Sequence, residues 1–335
     1  MRSNPAPDRG PYFDDLTHGQ VFDNAPAITL TDGLAASHQA ILGDRLRLPL
    51  DHRLATAIAG GPLAHPGLVT DIAIGQSTLA TRHVRANLFY RGLRLHRSPL
   101  LGDTLTTRTE VVGLKRNRIS PGRRVTGLAA LRVTTTDQDA RTVLDFHRCA
   151  MLPLAIGTDP QTITHADDLA TIGTAADVPW SAPAGWDVAT YRERVPGSRE
   201  PLPAPGTVLR PGADVVTCAP ELARLTLNIA EIHHDHRAAG GQRLVYGGHT
   251  IGLALAQACR ALPTMLTVLG WRSCAHTGPV HEGDTLSSDV VIGHATPLDR
   301  GGTALEIRSL VRAHRPDGPR EGTDVLDWSF TALLP

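Results

Sequence analysis

Apolar positions along this chain fall into two rhythms, and the alternation between them repeats. Two stretches are apolar on nearly every side, HPGLVTDIAIGQSTLATR at 65–82 and GGHTIGLALAQACRALP at 247–263. Each is long enough for about four helical turns. Small residues (Ala, Gly, Ser, Thr) crowd both, so each is expected to be a buried helix that other backbone can approach closely. Segments of period two follow. LFYRGLRLHR, DTLTTRTEVVGLK, TGLAALRVTTT and VLDFHRCAML come after the first helix, and DTLSSDVVIG, ALEIRSLVRAH and VLDWSFTALL after the second. They are rich in β-branched residues and read as strands of an antiparallel meander. A shorter helical stretch precedes each buried helix, DGLAASHQAILGD in one case and APELARLTLNIA in the other. One buried helix with a following meander makes an α+β domain.

The two sets are copies. PLLGDTLTTRTEVVG at 99–113 returns as PVHEGDTLSSDVVIG at 279–293, and VLDFHRCAMLP at 143–153 returns as VLDWSFTALLP at 325–335. Two matches at nearly one offset imply tandem domains of roughly 150 residues, far longer than a solenoid repeat. The copies are placed at 11–155 and 186–335, with a linker at 156–185. The region 155–206 is rich in Ala, Pro, Gly, Thr and Asp, although WDVATYRERV within it has the look of an ordered segment packed on a domain. LKRNRISPGRR at 114–124 reads as an exposed hairpin turn around Pro121 and Gly122.

Composition narrows the function classes. The chain has 335 residues, 41% of them hydrophobic and 20% charged, enough for a sizeable core. Its 33 basic and 33 acidic residues cancel, which gives no sign of a nucleic-acid or membrane-surface partner. The start, MRSNPAPDRGPYFDD, has no apolar signal-peptide core, and no run is long enough to span a membrane. The four cysteines, Cys149, Cys218, Cys259 and Cys274, are widely spaced without a CxxC pair and are expected to be free thiols. A soluble cytoplasmic protein is expected. No dinucleotide, Walker or nucleophile-elbow motif is found.

The chemistry concentrates at LNIAEIHHDHRAAGGQRLVYGGHTIGLALAQ, residues 227–257. The run HHDH invites a metal reading, but neighbouring residues rarely converge on one ion and no ligand spacing is present, so no metal is expected. His234 and His236 read as exposed loop residues. His233 is the natural general base, since an unperturbed imidazole titrates near neutrality. Gly247 and Gly248 open the second buried helix, whose N-terminus offers free N–H groups and a positive dipole end to an oxygen turning negative.

This pattern resembles the MaoC-like (R)-specific enoyl-CoA hydratases and dehydratases in their double-hotdog form, in which a sheet wraps one long helix in each copy. The family pattern runs roughly GDxNPxHxD, followed by a glycine-containing helix start. In the second copy NIAEIHHD falls on it. His233 takes the place of the catalytic His, Asp235 that of the following Asp, and Asn228 that of the catalytic Asp, while Gly248 of VYGG takes the oxyanion position. In the first copy, GDRLRLPLD keeps Gly43, Asp44 and Asp51 but has Pro49 where the His belongs. NIAEIH, RLVYGGH and GLKRN with VLDF are most similar to the mesaconyl-CoA hydratase (β-methylmalyl-CoA dehydratase) branch.

The resemblance implies two fused hotdog domains paired as a pseudo-dimer, with one working site in the second copy near its seam with the first. It implies reversible syn addition of water to a 2-enoyl-CoA, with short, branched or carboxylated acyl groups as candidates and no cofactor. The assigned catalytic residues are His233, Asn228 and Gly248. Gly247, Tyr246, His249, Arg243 and Asp235 are assigned to substrate, His249 as a contact for a substrate carboxylate and Arg243, with Arg237, for the CoA phosphates. Asn228 cannot take a proton, which leaves three options: His233 alone, a neighbouring carboxylate (Glu231 or Asp235), or a non-catalytic acyl-CoA binder. A hotdog thioesterase is a further alternative. An acyl-carrier protein as thioester carrier and association into a homodimer both stay open.

Overall fold

The computed structural model describes residues 10–174 and 179–335. Residues 1–9, within the segment read for a signal peptide, and four positions of the expected linker lie outside it. The described helices are α1 (Asp32–Leu42), α2 (Arg47–Leu50), α3 (His52–Ala59), α4 (Pro66–Gln76), α5 (Val188–Arg194), α6 (Ala219–Leu225) and α7 (Gly247–Ala261). The strands are β1 (Val21–Phe22), β2 (Ile28–Thr29), β3 (Ala86–Leu95), β4 (Thr104–Arg116), β5 (Thr126–Thr136), β6 (Thr142–Pro153), β7 (Val208–Leu209), β8 (Asp214–Val215), β9 (Thr267–His276), β10 (Thr285–Pro297), β11 (Thr303–His314) and β12 (Thr323–Leu334).

All twelve strands join one antiparallel sheet ordered β1-β4-β5-β6-β3-β9-β12-β11-β10-β7, with β2 on β4 and β8 on β10. The halves meet where β3 pairs with β9. There Tyr90 faces Cys274 and Leu93 faces Trp271. Positions related by the internal repeat thus exchange places across the seam, the signature of a pseudo-twofold axis. The sheet wraps α4 and α7, which lie against each other on its inner face. Every residue of α4 except Gly67 is buried, and α7 is buried from Gly248 through Cys259. Leu68, Ile72, Ile251 and Leu255 from these helices share one core with Val133, Phe146, Trp328 and Phe330 from the strands. The repeat implies two α+β copies, and their arrangement is the double hotdog that the family resemblance implies.

Local sequence explains most boundaries. The alternation of β-branched and polar residues buries one face of β4 and β10, as expected for a half-covered sheet. Gly122 (φ +73°) turns the β4–β5 hairpin where PG was read as a turn. α4 is shorter than its apolar run. The Ser77 and Thr78 hydroxyls take the carbonyls of Ile74 and Gly75 (2.6 and 2.5 Å), and the chain tightens into a 3₁₀ turn over Ser77–Ala80. β9 was not among the segments read as strands, although its offset from β3 marks it. The segment WDVATYRERV is ordered. The Asp187 carboxylate caps α5, and Val188 and Tyr191 bury against Ala55, Ile58 and Leu333. No described helix is long and apolar enough to cross a membrane. All four cysteines are free thiols; Cys218 is exposed and the other three are buried.

Candidate active site

The loop after α6 is shaped by the other copy. Leu227 takes a left-handed conformation (φ +59°) that ends the helical stretch early and turns Asn228 inward. Asn228 is buried, and its Oδ1 accepts the Ala230 N–H at 3.0 Å. The next residues hang on first-copy atoms. The Ile229 N–H donates to Thr78 Oγ1 at 2.9 Å, and the Glu231 N–H donates to the Arg82 carbonyl at 3.0 Å. Beneath them Gly75 of α4 presses on the loop backbone. A Cβ there would overlap the Thr226 carbonyl and sit 3.2 Å from the Asn228 nitrogen. Gly75→Ala should therefore cost about 3 kcal/mol through overpacking, outweighing the ~1 kcal/mol that alanine gains in helix propensity. A drop in the urea midpoint at unchanged slope would show it; a stabilised variant would contradict this packing.

His233 lies at the end of a 3₁₀ turn over Glu231–His233. Its Nδ1 is 2.8 Å from the Leu244 carbonyl oxygen. That oxygen can only accept, so Nδ1 carries the hydrogen and Nε2 keeps its lone pair. The ring meets Tyr246 edge-on at 5.8 Å between centroids. Burial, with lesser help from His234 and Arg148, draws its pKa down to about 4 against the opposing Leu244 bond. The imidazole is neutral at physiological pH. Tyr246 is the N-cap of α7, with its hydroxyl 3.1 Å from the Asp71 carbonyl and 3.3 Å from that residue's carboxylate. The first N–H groups of α7 have no acceptor within the helix.

His233, Asn228, Tyr246 and Gly247 line one cavity of about 460 Å³, within the usual range for small-molecule sites. The first copy contributes Ile74, Asn87, Tyr90 and Arg148 to its wall, and β9 contributes His276. His276 is drawn down to about 4 by burial and then by the nearby His233 and Arg148. Its Nε2 has no hydrogen-bond partner and would lie 2.6 Å from a Cβ on Gly247. Among the described residues no carboxylate lines this cavity.

The remaining expected site residues fall elsewhere. Glu231 is held by Arg82 and His83 at 3.1 and 3.2 Å. Asp235 is chelated by Arg237, whose hydrogen bonds bring its carboxyl down to about 2. Neither replaces the carboxylate that Asn228 lacks, because arginine already holds each one away from the cavity. Arg243 faces Glu282 at 3.5 Å, beside the cavity rather than in it. Gly248 is buried, with its Cα against the Asp71 carboxylate and the Tyr246 ring, so Gly247 rather than Gly248 forms the cavity wall. His249 departs most from expectation. It is fully buried, off the cavity wall, and both ring nitrogens lack partners. One turn into a helix packed on α4, its side chain lies toward His38 instead of substrate. His234 is half-buried rather than exposed, because its Nε2–H donates to the Asn228 carbonyl at 2.7 Å. His236 is exposed. No group of three ligating side chains converges among the described residues.

Asp44, kept by the first copy, does not meet His233. It pairs with His65 at 3.0 Å, while His38 pairs with Asp71 at 3.2 Å. Burial pushes the Asp44 carboxyl up, but His65 and the Leu46 N–H outweigh it and leave the group below its ordinary value. These pairs tie α1 and the start of α4 together where the second copy keeps its cavity. His276, Tyr90, Asn87 and Arg148 were missed as site residues. For Arg148 a signal existed: it follows Leu144 and Phe146 and precedes Ala150 on the inward face of β6, where period two calls for an apolar side chain.

No known protein-family model matches the chain. Its full length is 26% identical to beta-methylmalyl-CoA dehydratase of Chloroflexus aurantiacus, over 98% of that protein. Over 97% of its length it is 27% identical to mesaconyl-CoA hydratase of Cereibacter sphaeroides, again over 98% of the relative. Among solved structures, a conserved hypothetical Mycobacterium tuberculosis protein with a double hotdog fold, essential for bacterial survival during infection, superposes with a TM-score of 0.90. It is 58% identical, over 97% of this chain and 98% of that one. A putative MaoC domain dehydratase of Chloroflexus aurantiacus gives 0.79 at 25% identity, over 100% and 99% of the two chains.

Proposed function

Since this chain belongs to the MaoC-like double-hotdog family, we propose that it interconverts 2-enoyl-CoA and 3-hydroxyacyl-CoA thioesters by adding or removing water. The acyl group enters the cavity between the copies. Its thioester carbonyl lies at the start of α7, where the Gly247 N–H and the helix dipole stabilise the enolate oxygen. His233 Nε2 takes a proton from water as the water oxygen bonds to C3 of the acyl chain. The enolate then collapses, and the proton held on Nε2 passes to C2. Every atom of the water ends in the product, and one imidazole serves as base and then acid. Asn228 braces the loop through Ala230 and, through its carbonyl, holds His234; it takes no proton.

The observation that carries this reading is the His233 tautomer: Nδ1–H is spent on the Leu244 carbonyl, which leaves a lone pair at Nε2 on the cavity wall. The absence of a carboxylate on the described wall weighs against a thioesterase of the kind that uses one as base. The carrier in this reading is CoA, with exposed Arg85 at the cavity and Arg243 beside it available for phosphates. A cytoplasmic setting is in keeping with four unpaired thiols.

The test incubates purified protein with crotonyl-CoA, mesaconyl-CoA and longer enoyl-CoAs, and follows loss of enoyl absorbance alongside release of free thiol. Enoyl loss without thiol is expected. Thiol release would replace this reading with the thioesterase, and binding with neither product would leave an acyl-CoA binder. Carrier-protein thioesters in the same assay decide the carrier, and light scattering on the same sample decides whether the chain pairs with a second copy.

A further inference from the structure

The cavity holds a cation that the proposed chemistry does not use. Arg148 is only 3% exposed and stands on the inward face of β6. Its Nη1 donates to Ser77 Oγ at 2.7 Å and its Nη2 to Thr81 Oγ1 at 3.2 Å, while Nε has no partner. The guanidinium lies 6.0 Å from the Tyr90 ring centre. No aspartate or glutamate pairs with it among the described residues, whereas Arg82, Arg237 and Arg243 near the site each meet a carboxylate. Two hydroxyls do not neutralise a buried charge, and an ion taken from water without a counter-charge costs several kcal/mol. A fold keeps such a group when a ligand supplies the charge.

The neighbours are of the same kind. Asn87 has both side-chain polar atoms buried without partners, and His276 Nε2 is likewise unmatched. Both line this cavity with Arg148. His276 stacks edge-on against Tyr90 at 6.0 Å, so one aromatic ring has the arginine near it and the histidine at its side. Unmatched polar groups from both copies thus gather around Arg148 on the cavity wall, and no carboxylate of the protein is among them.

We propose that Arg148 binds a free carboxylate on the acyl group and makes this site selective for acidic acyl thioesters over neutral ones. Arginine suits that task because its planar fork matches a carboxylate, while Ser77 and Thr81 fix the plane. The acid group would also offset the Arg148 charge, which adds a lesser part to the lowering that burial imposes on His233 and His276. A neutral acyl group would leave that charge uncompensated. This inference names the substrate class for the hydration proposed above and rests on that reading for its kinetic form.

Kinetics and binding together test it. For the wild type, kcat/KM for mesaconyl-CoA should exceed that for crotonyl-CoA, and Arg148→Gln should lower this ratio about 100-fold, the size of a charge-assisted carboxylate contact. Arg148→Lys should restore part of the ratio. Equal losses on both substrates, or a wild type that prefers crotonyl-CoA, would overturn the proposal. Calorimetry with mesaconyl-CoA and crotonyl-CoA on the same proteins separates it from the hydratase reading. If neither thioester turns over but mesaconyl-CoA binds tighter and loses that margin in Arg148→Gln, the carboxylate subsite stands and the hydratase reading falls. Should Arg148→Gln fail to fold, the wild-type margin between the acidic and neutral thioesters, in turnover or in binding, decides alone.

Discussion

Alanine at His233 is expected to lower kcat/KM for enoyl-CoA hydration by about 10²- to 10⁴-fold, the usual worth of a positioned general acid–base group. The loss should fall on kcat with KM little changed, because the imidazole acts on water and acyl carbon rather than on the CoA portion. Another wall histidine, His281, also has its Nδ1 on a backbone carbonyl, that of Arg243 at 3.0 Å, so His281→Ala is the control that should keep most of the activity. Asn228 has its Oδ1 committed to Ala230. His276 sits against the start of α7, away from the Leu244 carbonyl that sets the His233 tautomer. Wild-type turnover in His233→Ala, with an intact fold by circular dichroism, would remove His233 from the mechanism. His233→Gln would serve as a near-isosteric control that keeps a donor to Leu244 but has no basic nitrogen.

Acidification is the second large effect, and it acts on stability. Three histidines, the buried His249 and the half-buried wall residues His233 and His276, are each drawn from 6.5 to about 4, chiefly by loss of hydration. In the unfolded chain each takes up a proton near pH 6.5. In the folded protein each stays neutral until about pH 4. Between those values the unfolded state binds more protons, so stability falls as pH falls. It is fully present above about 6.5 and is lost progressively toward 4. The combined loss should be on the order of 5 kcal/mol, a large share of the ~5–15 kcal/mol typical of folded domains. Urea titrations at pH 7.5, 6, 5 and 4 read it directly. His249→Leu should flatten the slope by about one proton, since His249 has no hydrogen-bond partner to lose. A stability flat from pH 7.5 to 4 would mean that these rings are hydrated or paired in solution.

Much of this protein is legible along the chain. Periodicity marks α4 and α7, six of the strands behind them and the β4–β5 hairpin, because burial on one face of a regular element writes itself into residue spacing. The internal repeat reveals two copies, since both halves solve one packing problem. The seventh strand read, LFYRGLRLHR, is β3, and its repeat partner β9 escaped. TVLGWRSCAH has fewer polar residues to alternate, as expected for a strand at the seam between the two halves of the sheet, and with β9 went His276. His233 and the two glycines stand out in one short stretch, while Asn228 and the oxyanion role of Gly248 could be assigned only through the family resemblance.

What only the tertiary structure decided is which way those side chains face and what stands opposite them. His249 and Gly248 sit in the same short motif as Gly247, yet helix rotation turns Gly248 onto Asp71 of α4 and His249 toward His38 of α1, and leaves Gly247 on the cavity. Asp235 and Glu231 are as near to His233 in sequence as any carboxylate, but arginines hold both away. Arg148 stands in the other copy, brought to the cavity by a sheet that closes around both helices. Spacing along a chain records the period of one element and the face it buries. It does not record the rotation of one helix against its neighbour, or which strand from a distant copy completes the wall, because those follow from packing between elements.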